Sequence, residues 1–374
     1  MVQNKTFNRY FRYFDWISFA ITMALLSIGL LFVLSATYTP EKPISILFKR
    51  QFYGALVGIA FYLFFCFKDV RKLIDLGYVT FFIIILLLIY THVAGHVAMG
   101  GKRWVNLYFI KFQPSELAKL FLPTFIAYYF SNSVEKSSSL KYINISFKKA
   151  LFPLTTLGLT FILILKQPDL GTALIILFSG MLLLYIAGLD KKIFIIFGFL
   201  SILGAPVLWK VLKPYQQQRI SVLLGYGDIK KERYQIEQAK IAVGSGGIIG
   251  KGLLKGTQNK LSFIPEDHTD FIFSVLCEET GFLGALLVLL LFILLFIRTL
   301  LITLTIPDPL IQIVSIGLLS HLMLAVCINI GMVLGILPTV GIALPLFSYG
   351  VSNLWVTLAS LGWLNNLSSR RFYY

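Results

Sequence analysis

Charge is what this 374-residue chain lacks most: 13% of its residues are charged, against 57% hydrophobic. A soluble domain carries about 25% charged residues, so the chain cannot solvate a globular surface, and its mean hydropathy of +0.81 agrees. That deficit excludes a cytosolic enzyme, a disordered protein and a secreted module. Cysteine is nearly as scarce. Cys66, Cys277 and Cys327 are odd in number, far apart and set in apolar runs, which excludes a disulfide framework and a zinc site. There are four histidines. His92 and His96 are spaced for one helix face, but no carboxylate or third ligand lies near them in the sequence, so no metal site is read there. Acid is short as well: 17 Asp and Glu against 33 Lys and Arg, a formal net charge of +16. Nucleic acid is not the reason, because no basic-aromatic stripe offers base stacking. The basic residues sit between apolar segments, where anionic membrane lipids lie.

What is present is a series of long apolar runs. A membrane span needs about 20 apolar residues, and candidates fall near 14–37, 51–67, 74–95, 113–131, 149–166, 169–188, 192–212, 270–299, 309–334 and 344–366. The expectation is an all-α, polytopic membrane protein. It has about ten transmembrane helices and a large extracytoplasmic loop, about 213–269, between helices 7 and 8. The whole chain, 1–374, reads as a single domain. The second run is the shortest and begins beside Lys49 and Arg50. The first is too long for a cleaved signal and has no cleavage site, so it reads as an uncleaved anchor. With the N-terminus inside, fifteen Lys and Arg fall on the cytoplasmic side and seven in the short outer loops. The positive-inside rule therefore places both termini in the cytoplasm.

Polar residues at membrane depth are costly and default to function. Here they collect at the starts of runs. Gln113-Pro114-Ser115-Glu116 opens the fourth, with Lys119 behind it; Gln167-Pro168-Asp169 opens the sixth; His268-Thr269-Asp270 opens the eighth; Ser348-Tyr349-Gly350 sits near the start of the tenth. All four helices run the same way, so their N-termini face one side. Helix N-termini carry partial positive charge and unpaired N–H groups that suit phosphate. Arg103, Lys119 and Lys166 add full charges near the same rim. Glu116 and Lys119, three apart, share a helix face, and carboxylates among such cations stay ionised. The bland alternative makes the acids helix caps and Glu116–Lys119 a structural pair.

The loop holds a second polar concentration, with Arg219, Gln235, Lys240 and Gln258 around the stretch Gly244-Ser245-Gly246-Gly247-Ile248-Ile249-Gly250-Lys251-Gly252. This stretch is not a Walker A loop, because Ser245 and Gly252 stand where glycine and Ser or Thr are required, nor a dinucleotide fingerprint, because Ile249 replaces its third glycine. It is expected to form tight re-entrant backbone beside a lipid ligand. His321 reads as a hydrogen-bonded core residue. Glu278 and Glu279, well inside the eighth run, need partners or a water-lined cavity.

At these motifs the sequence resembles the SEDS family of cell-wall proteins (shape, elongation, division and sporulation). The resemblance runs through Gly101-Lys102-Arg103-Trp104, Gln113 to Lys119, Lys166 to Ala173, Ile241 to Gly247, Phe263 to Phe273 and Asn329-Ile330-Gly331-Met332, and ends at Ser348-Tyr349-Gly350. Its wording is closer to the elongation branch than to the division branch. One departure stands out: Val351 replaces the usual glycine after Gly350, and a β-branched residue restricts that backbone.

The resemblance implies a peptidoglycan glycosyltransferase of the bacterial cytoplasmic membrane, polymerising lipid II on the outer face. It implies catalytic roles for Asp270, as general base, and for Glu116 and Lys119. Arg103, Trp104, Gln113, Ser115, Lys166, Asp169, Arg219, Lys240, Gln258, His268, Thr269, Ser348 and Tyr349 become candidate substrate-binding residues. A class B penicillin-binding protein is the implied partner. Whether a divalent cation, Mg or Mn, assists at the lipid pyrophosphate is left open. The competing readings are a lipid II flippase, which would carry its polar groups near the bilayer midplane, and a non-catalytic scaffold.

Overall fold

A computed structural model describes residues 14–98, 101–106, 111–134, 145–211, 214–226, 233–257 and 268–370. Among them are twelve helices. The first three are α1 (Trp16–Ala36), α2 (Ile46–Phe67) and α3 (Val70–Ala94), followed by α4 (Pro114–Val134), α5 (Phe147–Lys166), α6 (Leu170–Ile186) and α7 (Lys191–Val211). The region expected as a loop holds two short helices, α8 (Pro214–Leu223) and α9 (Tyr234–Ser245). The last three are α10 (Ile272–Leu304), α11 (Pro309–Val333) and α12 (Val351–Arg370). Six of these, α1, α2, α3, α5, α10 and α11, are long and apolar enough by length and composition to cross a membrane. The all-helical expectation gains one addition, a small antiparallel sheet of β1 (His96–Ala98), β2 (Gly101–Asn106) and β3 (Lys111–Phe112) between α3 and α4. His92 lies in the last turn of α3 and His96 in β1, so they do not share a helix face.

The few acids are placed where helices begin. Asp15, Asp69, Asp169 and Asp308 each accept a backbone N–H in the first turn of α1, α3, α6 and α11, satisfying donors that would otherwise be orphaned in apolar surroundings. Ser45 caps α2 in the same way through Phe48 N, so that helix begins five residues before the shortest apolar run. Hydroxyls inside the helices are satisfied locally: Thr22, Thr160, Thr299 and Thr303 each donate to the carbonyl four residues back, the usual resort where no water is at hand.

The core is continuous. α12 lies along α2, α4 along α3, and α11 between α4 and α6. Among the cysteines, Cys66 and Cys277 are buried while Cys327 is exposed on α11, so only two of the three are core residues. His321 is buried, within 3.3 Å of Gly317 O and 3.4 Å of Ser360 Oγ.

α10 is broken at Gly281, whose φ of 67° and ψ of −163° interrupt the helix. The glycine stretch packs into this break. Lys251 N and Gly252 N donate to Glu278 O and Glu279 O at 3.0 and 2.9 Å, while Phe282 N and Leu283 N donate to Gly247 O and Ile248 O at 2.8 and 3.1 Å. A Cβ on Gly246 or Gly250 would collide with the backbone of Cys277 or Glu279. Gly246 and Gly250 therefore serve backbone-to-backbone approach within the fold, the tight backbone expected of this stretch. Glu278 and Glu279 belong to the same interlock. Glu278 accepts from Lys251 Nζ (2.6 Å) and Thr257 N (2.8 Å), and Glu279 from Ser35 Oγ (2.5 Å).

Candidate active site

Pro114 and Leu170 start α4 and α6, and the segment before α10 ends beside the segment before α12. These four helix starts meet around a cavity of about 480 Å³, within the usual range of ligand sites. β2 adds Arg103 and Trp104 to its lining, α8 adds Arg219 and α9 adds Gln235. Three cations (Arg103, Lys119, Arg219) and three carboxylates (Glu116, Asp169, Asp270) line the same space. Arg103 Nε and Trp104 Nε1 are buried there without a hydrogen-bond partner among the described residues.

Two of the carboxylates are committed to the wall. Glu116 Oε1 accepts from Lys119 Nζ at 2.9 Å, and its other oxygen accepts from Asn353 Nδ2 at 3.0 Å. The pair is almost fully buried, and its i,i+3 spacing on α4 puts the ammonium over the carboxylate. Asp169 caps α6 through Thr172 N (3.1 Å) and accepts from Gln113 Nε2 (2.7 Å) and Ser115 Oγ (3.5 Å). Arg103 Nη1 stands 3.9 Å from the same Asp169 oxygen. Gln167, next to this cap, donates to Leu88 O and Thr91 Oγ1 at 2.8 and 2.9 Å and fixes the α5–α6 turn to α3.

The third carboxylate is held differently. The chain leading into α10 is pinned to the chain leading into α12: Tyr349 N donates to His268 O at 2.8 Å, and Ser348 Oγ to Thr269 O at 2.5 Å. Ser348 also accepts from Leu344 N at 2.7 Å. Beside Asp270, Gly341 has a φ of 73°, a backbone conformation that favours glycine, and a Cβ there would lie 3.5 Å from Asp270 Oδ2.

The structure gathers most of the expected residues and sorts them by position. Asp270, Glu116, Lys119, Arg103, Trp104, Gln113, Asp169, Arg219, Thr269 and Tyr349 line the cavity. Ser115 and Ser348 are buried in the wall behind it, and His268 sits with its ring 5.7 Å from that of Tyr349. Lys166 is exposed at the end of α5 and Lys240 faces Glu237 on α9 at 3.8 Å; neither lines the cavity. Gln258 lies outside the described residues. Asn353, Gly341, Thr172 and Gln235 also line the cavity but were not among the expected site residues. Gln235 had a signal in the polar concentration of the loop, Thr172 in the Lys166–Ala173 motif, and Asn353 in standing two positions beyond Val351, where the sequence departs from the family pattern. Val351 fits as the first residue of α12, its methyls against Gly54 of α2, so a helical backbone absorbs that departure. Among the described residues no group of three His, Cys, Asp or Glu is arranged to hold a metal ion. Apart from Arg219 in the middle of the short α8, the polar residues of the cavity stand at helix starts and in the segments before them.

Fold and site together define a multi-pass membrane protein with a cavity that combines helix N-termini, buried cations and a carboxylate. The FtsW/RodA/SpoVE family, described as "Cell cycle protein", matches residues 15–373, and the chain belongs to it. It is 40% identical over 293 residues to peptidoglycan glycosyltransferase MrdB of Escherichia coli, covering 78% of this chain and 77% of that one. A chain from a structure described as the structural coordination of polymerization and crosslinking by a peptidoglycan synthase complex superposes with a TM-score of 0.79 at 29% identity, covering 96% and 99% of the two chains. The rod shape determining protein RodA of Thermus thermophilus superposes at 0.70 with 28% identity, covering 96% and 98%.

Proposed function

We propose that the protein is a peptidoglycan glycosyltransferase of cell-wall elongation, polymerising lipid II, with residues 1–374 working as one domain. The observation that carries this reading is the meeting of Asp270, Arg103, Lys119 and Arg219 around one cavity at four helix starts. The donor leaves with a lipid-linked pyrophosphate, an anion suited to helix N-termini and basic side chains. The acceptor is a sugar hydroxyl, which needs a base within hydrogen-bond reach.

Asp270 takes the hydroxyl proton as the acceptor oxygen bonds to the donor anomeric carbon. The bond from that carbon to the pyrophosphate oxygen breaks, the leaving group keeps the electron pair, and attack from the opposite side inverts the carbon. Negative charge accumulates on the pyrophosphate, where Arg103, Lys119 and Arg219 stabilise it electrostatically. Glu116 holds Lys119 in place, Asp169 holds Gln113 and Arg103, and Trp104 and Tyr349 offer flat faces to sugar or lipid. With Glu116 and Asp169 occupied in this way, a Mg or Mn ion at the pyrophosphate would take its ligands mainly from the substrate, and no step here depends on one.

The cavity opens on the outer face of the cytoplasmic membrane and both termini lie inside, following the distribution of Lys and Arg. A class B penicillin-binding protein supplies the transpeptidase. The rim position of the polar groups weighs against a flippase.

Purified protein, alone and with its co-purified partner, should polymerise lipid II, and Asp270→Ala should not. Polymer in both would overturn the assignment of the base. Absence of polymer from folded, unaltered protein with competent substrate would overturn the activity.

A further inference from the structure

Asn329, in the last quarter of α11, is fully buried and does not line the cavity. Its Nδ2 donates to two carbonyls, Asp270 O at 2.8 Å and Ile342 O at 2.7 Å. Both hydrogens of the amide are thereby used, and both partners are acceptors, so the amide orientation follows from the chemistry. Its Oδ1 is buried with no hydrogen-bond partner among the described residues. An unmet buried acceptor costs about 1–3 kcal/mol. Leucine, of nearly the same shape, would remove that acceptor but would leave the Asp270 and Ile342 carbonyls without this donor.

The two carbonyls that Asn329 joins belong to two neighbouring segments that line the cavity. One is that of Asp270 itself. The other lies in the 340–343 segment, whose Gly341 borders the Asp270 carboxylate. With Tyr349 and Ser348, Asn329 completes a row in which three successive carbonyls, those of His268, Thr269 and Asp270, each meet a donor from a different part of the chain. Asn329 is the member that acts on the reacting residue's own peptide. It also couples that peptide to the 340–343 segment, the neighbour of the Asp270 carboxylate.

We infer that Asn329 is a positioning residue for Asp270, setting the distance between the base and the acceptor hydroxyl rather than binding substrate. The inference rests on the glycosyltransferase reading above. Misplacing a reacting group by about 1 Å can cost on the order of 100-fold in rate, while affinity for a ligand held elsewhere in the cavity is unaffected.

The test compares unaltered protein, Asp270→Asn, Asn329→Leu and Asn329→Ser in lipid II polymerisation, with thermal stability and lipid II binding measured on each. Asn329→Leu takes the donor from both carbonyls and so lowers the melting temperature. In still-folded protein it should lower kcat by about 10–100-fold while KM and lipid II affinity stay close to those of the unaltered protein. Asn329→Ser keeps one donor and should fall between. A folded Asn329→Leu variant with kcat near that of the unaltered protein would overturn the inference. So would a fall of kcat matched by an equal fall of lipid II affinity in folded protein, or the failure of both variants to fold, since either makes Asn329 a folding residue. These results differ from those that sink the underlying reading, in which the unaltered protein makes no polymer or Asp270→Asn makes as much as it does.

Discussion

Of the protein's ion pairs, two stand near opposite ends of α10, and only one of them belongs to a site. Glu116–Lys119 lines the 480 Å³ cavity near the helix start. Asp15–Arg298 lies on the order of 40 Å of helix away, with the guanidinium Nε 2.9 Å from both carboxylate oxygens and Nη2 2.7 Å from one. Ser18 donates to the same carboxylate, Asn365 and Asp15 exchange hydrogen bonds, and Asn365 reaches Tyr62 Oη at 2.7 Å. The space beside this cluster is about 10 Å³, room for one water. Both regions spend scarce charge inside an apolar protein. At Asp15 nearly every polar atom is answered by the protein, and the result ties α1, α10 and α12 together. At the cavity, buried donors on Arg103 and Trp104 are unanswered and there is room for a substrate. Charge in an apolar segment marks a functional site only where space and unmet polar atoms accompany it.

The comparison would be broken most decisively at Asp270. Asp270→Asn preserves shape and should lower lipid II polymerisation by about 100-fold or more with an unchanged melting temperature; substantial turnover would remove the chemical distinction between the two regions. The converse change is Arg298→Ala. Leaving the buried Asp15 carboxylate unpaired should cost about 3 kcal/mol of stability, read as an earlier thermal transition, while turnover per folded molecule stays within about twofold. A matched loss of turnover in still-folded protein would couple the two ends of α10. Glu116→Gln keeps a hydrogen-bond acceptor for Asn353 but strips Lys119 of its counter-charge. Polymerisation should drop by about tenfold through the altered field at the leaving group, visible as a lower kcat with little change in melting temperature. The smallest effect belongs to Lys166→Ala, exposed and off the cavity: activity and stability should both stay within about twofold, and a large loss would bring that lysine back into the site.

Much of this was legible beforehand. Apolar runs separated by basic loops located the helices, because a segment with no charge for about 20 residues has few alternatives to crossing the bilayer. The acids at Glu116, Asp169 and Asp270 were legible as a group, since each follows a helix-start signal on the same side. Their division of labour was not. Nothing local distinguishes Asp169, which caps a helix and holds Gln113, from Asp270, which borders open space beside Gly341. The glycine stretch was legible only in part for a related reason: glycine reports close approach, but not of what, and at Gly246 and Gly250 the neighbour is the backbone around the break at Gly281. Lys240 and Lys166 have the right charge in the right region, and only their helix faces turn them from the cavity.

The sequence by itself determined that this is a multi-pass helical membrane protein and that its polar residues gather at helix starts, because hydropathy and capping act over one or two turns and can be read from neighbouring residues. The tertiary structure alone decided which of those residues surround empty space. Asp270 meets Gly341, Glu116 meets Asn353 and Asn329 meets the Asp270 carbonyl across separations of tens to hundreds of residues, and such meetings are set by how whole helices pack, which no local pattern encodes.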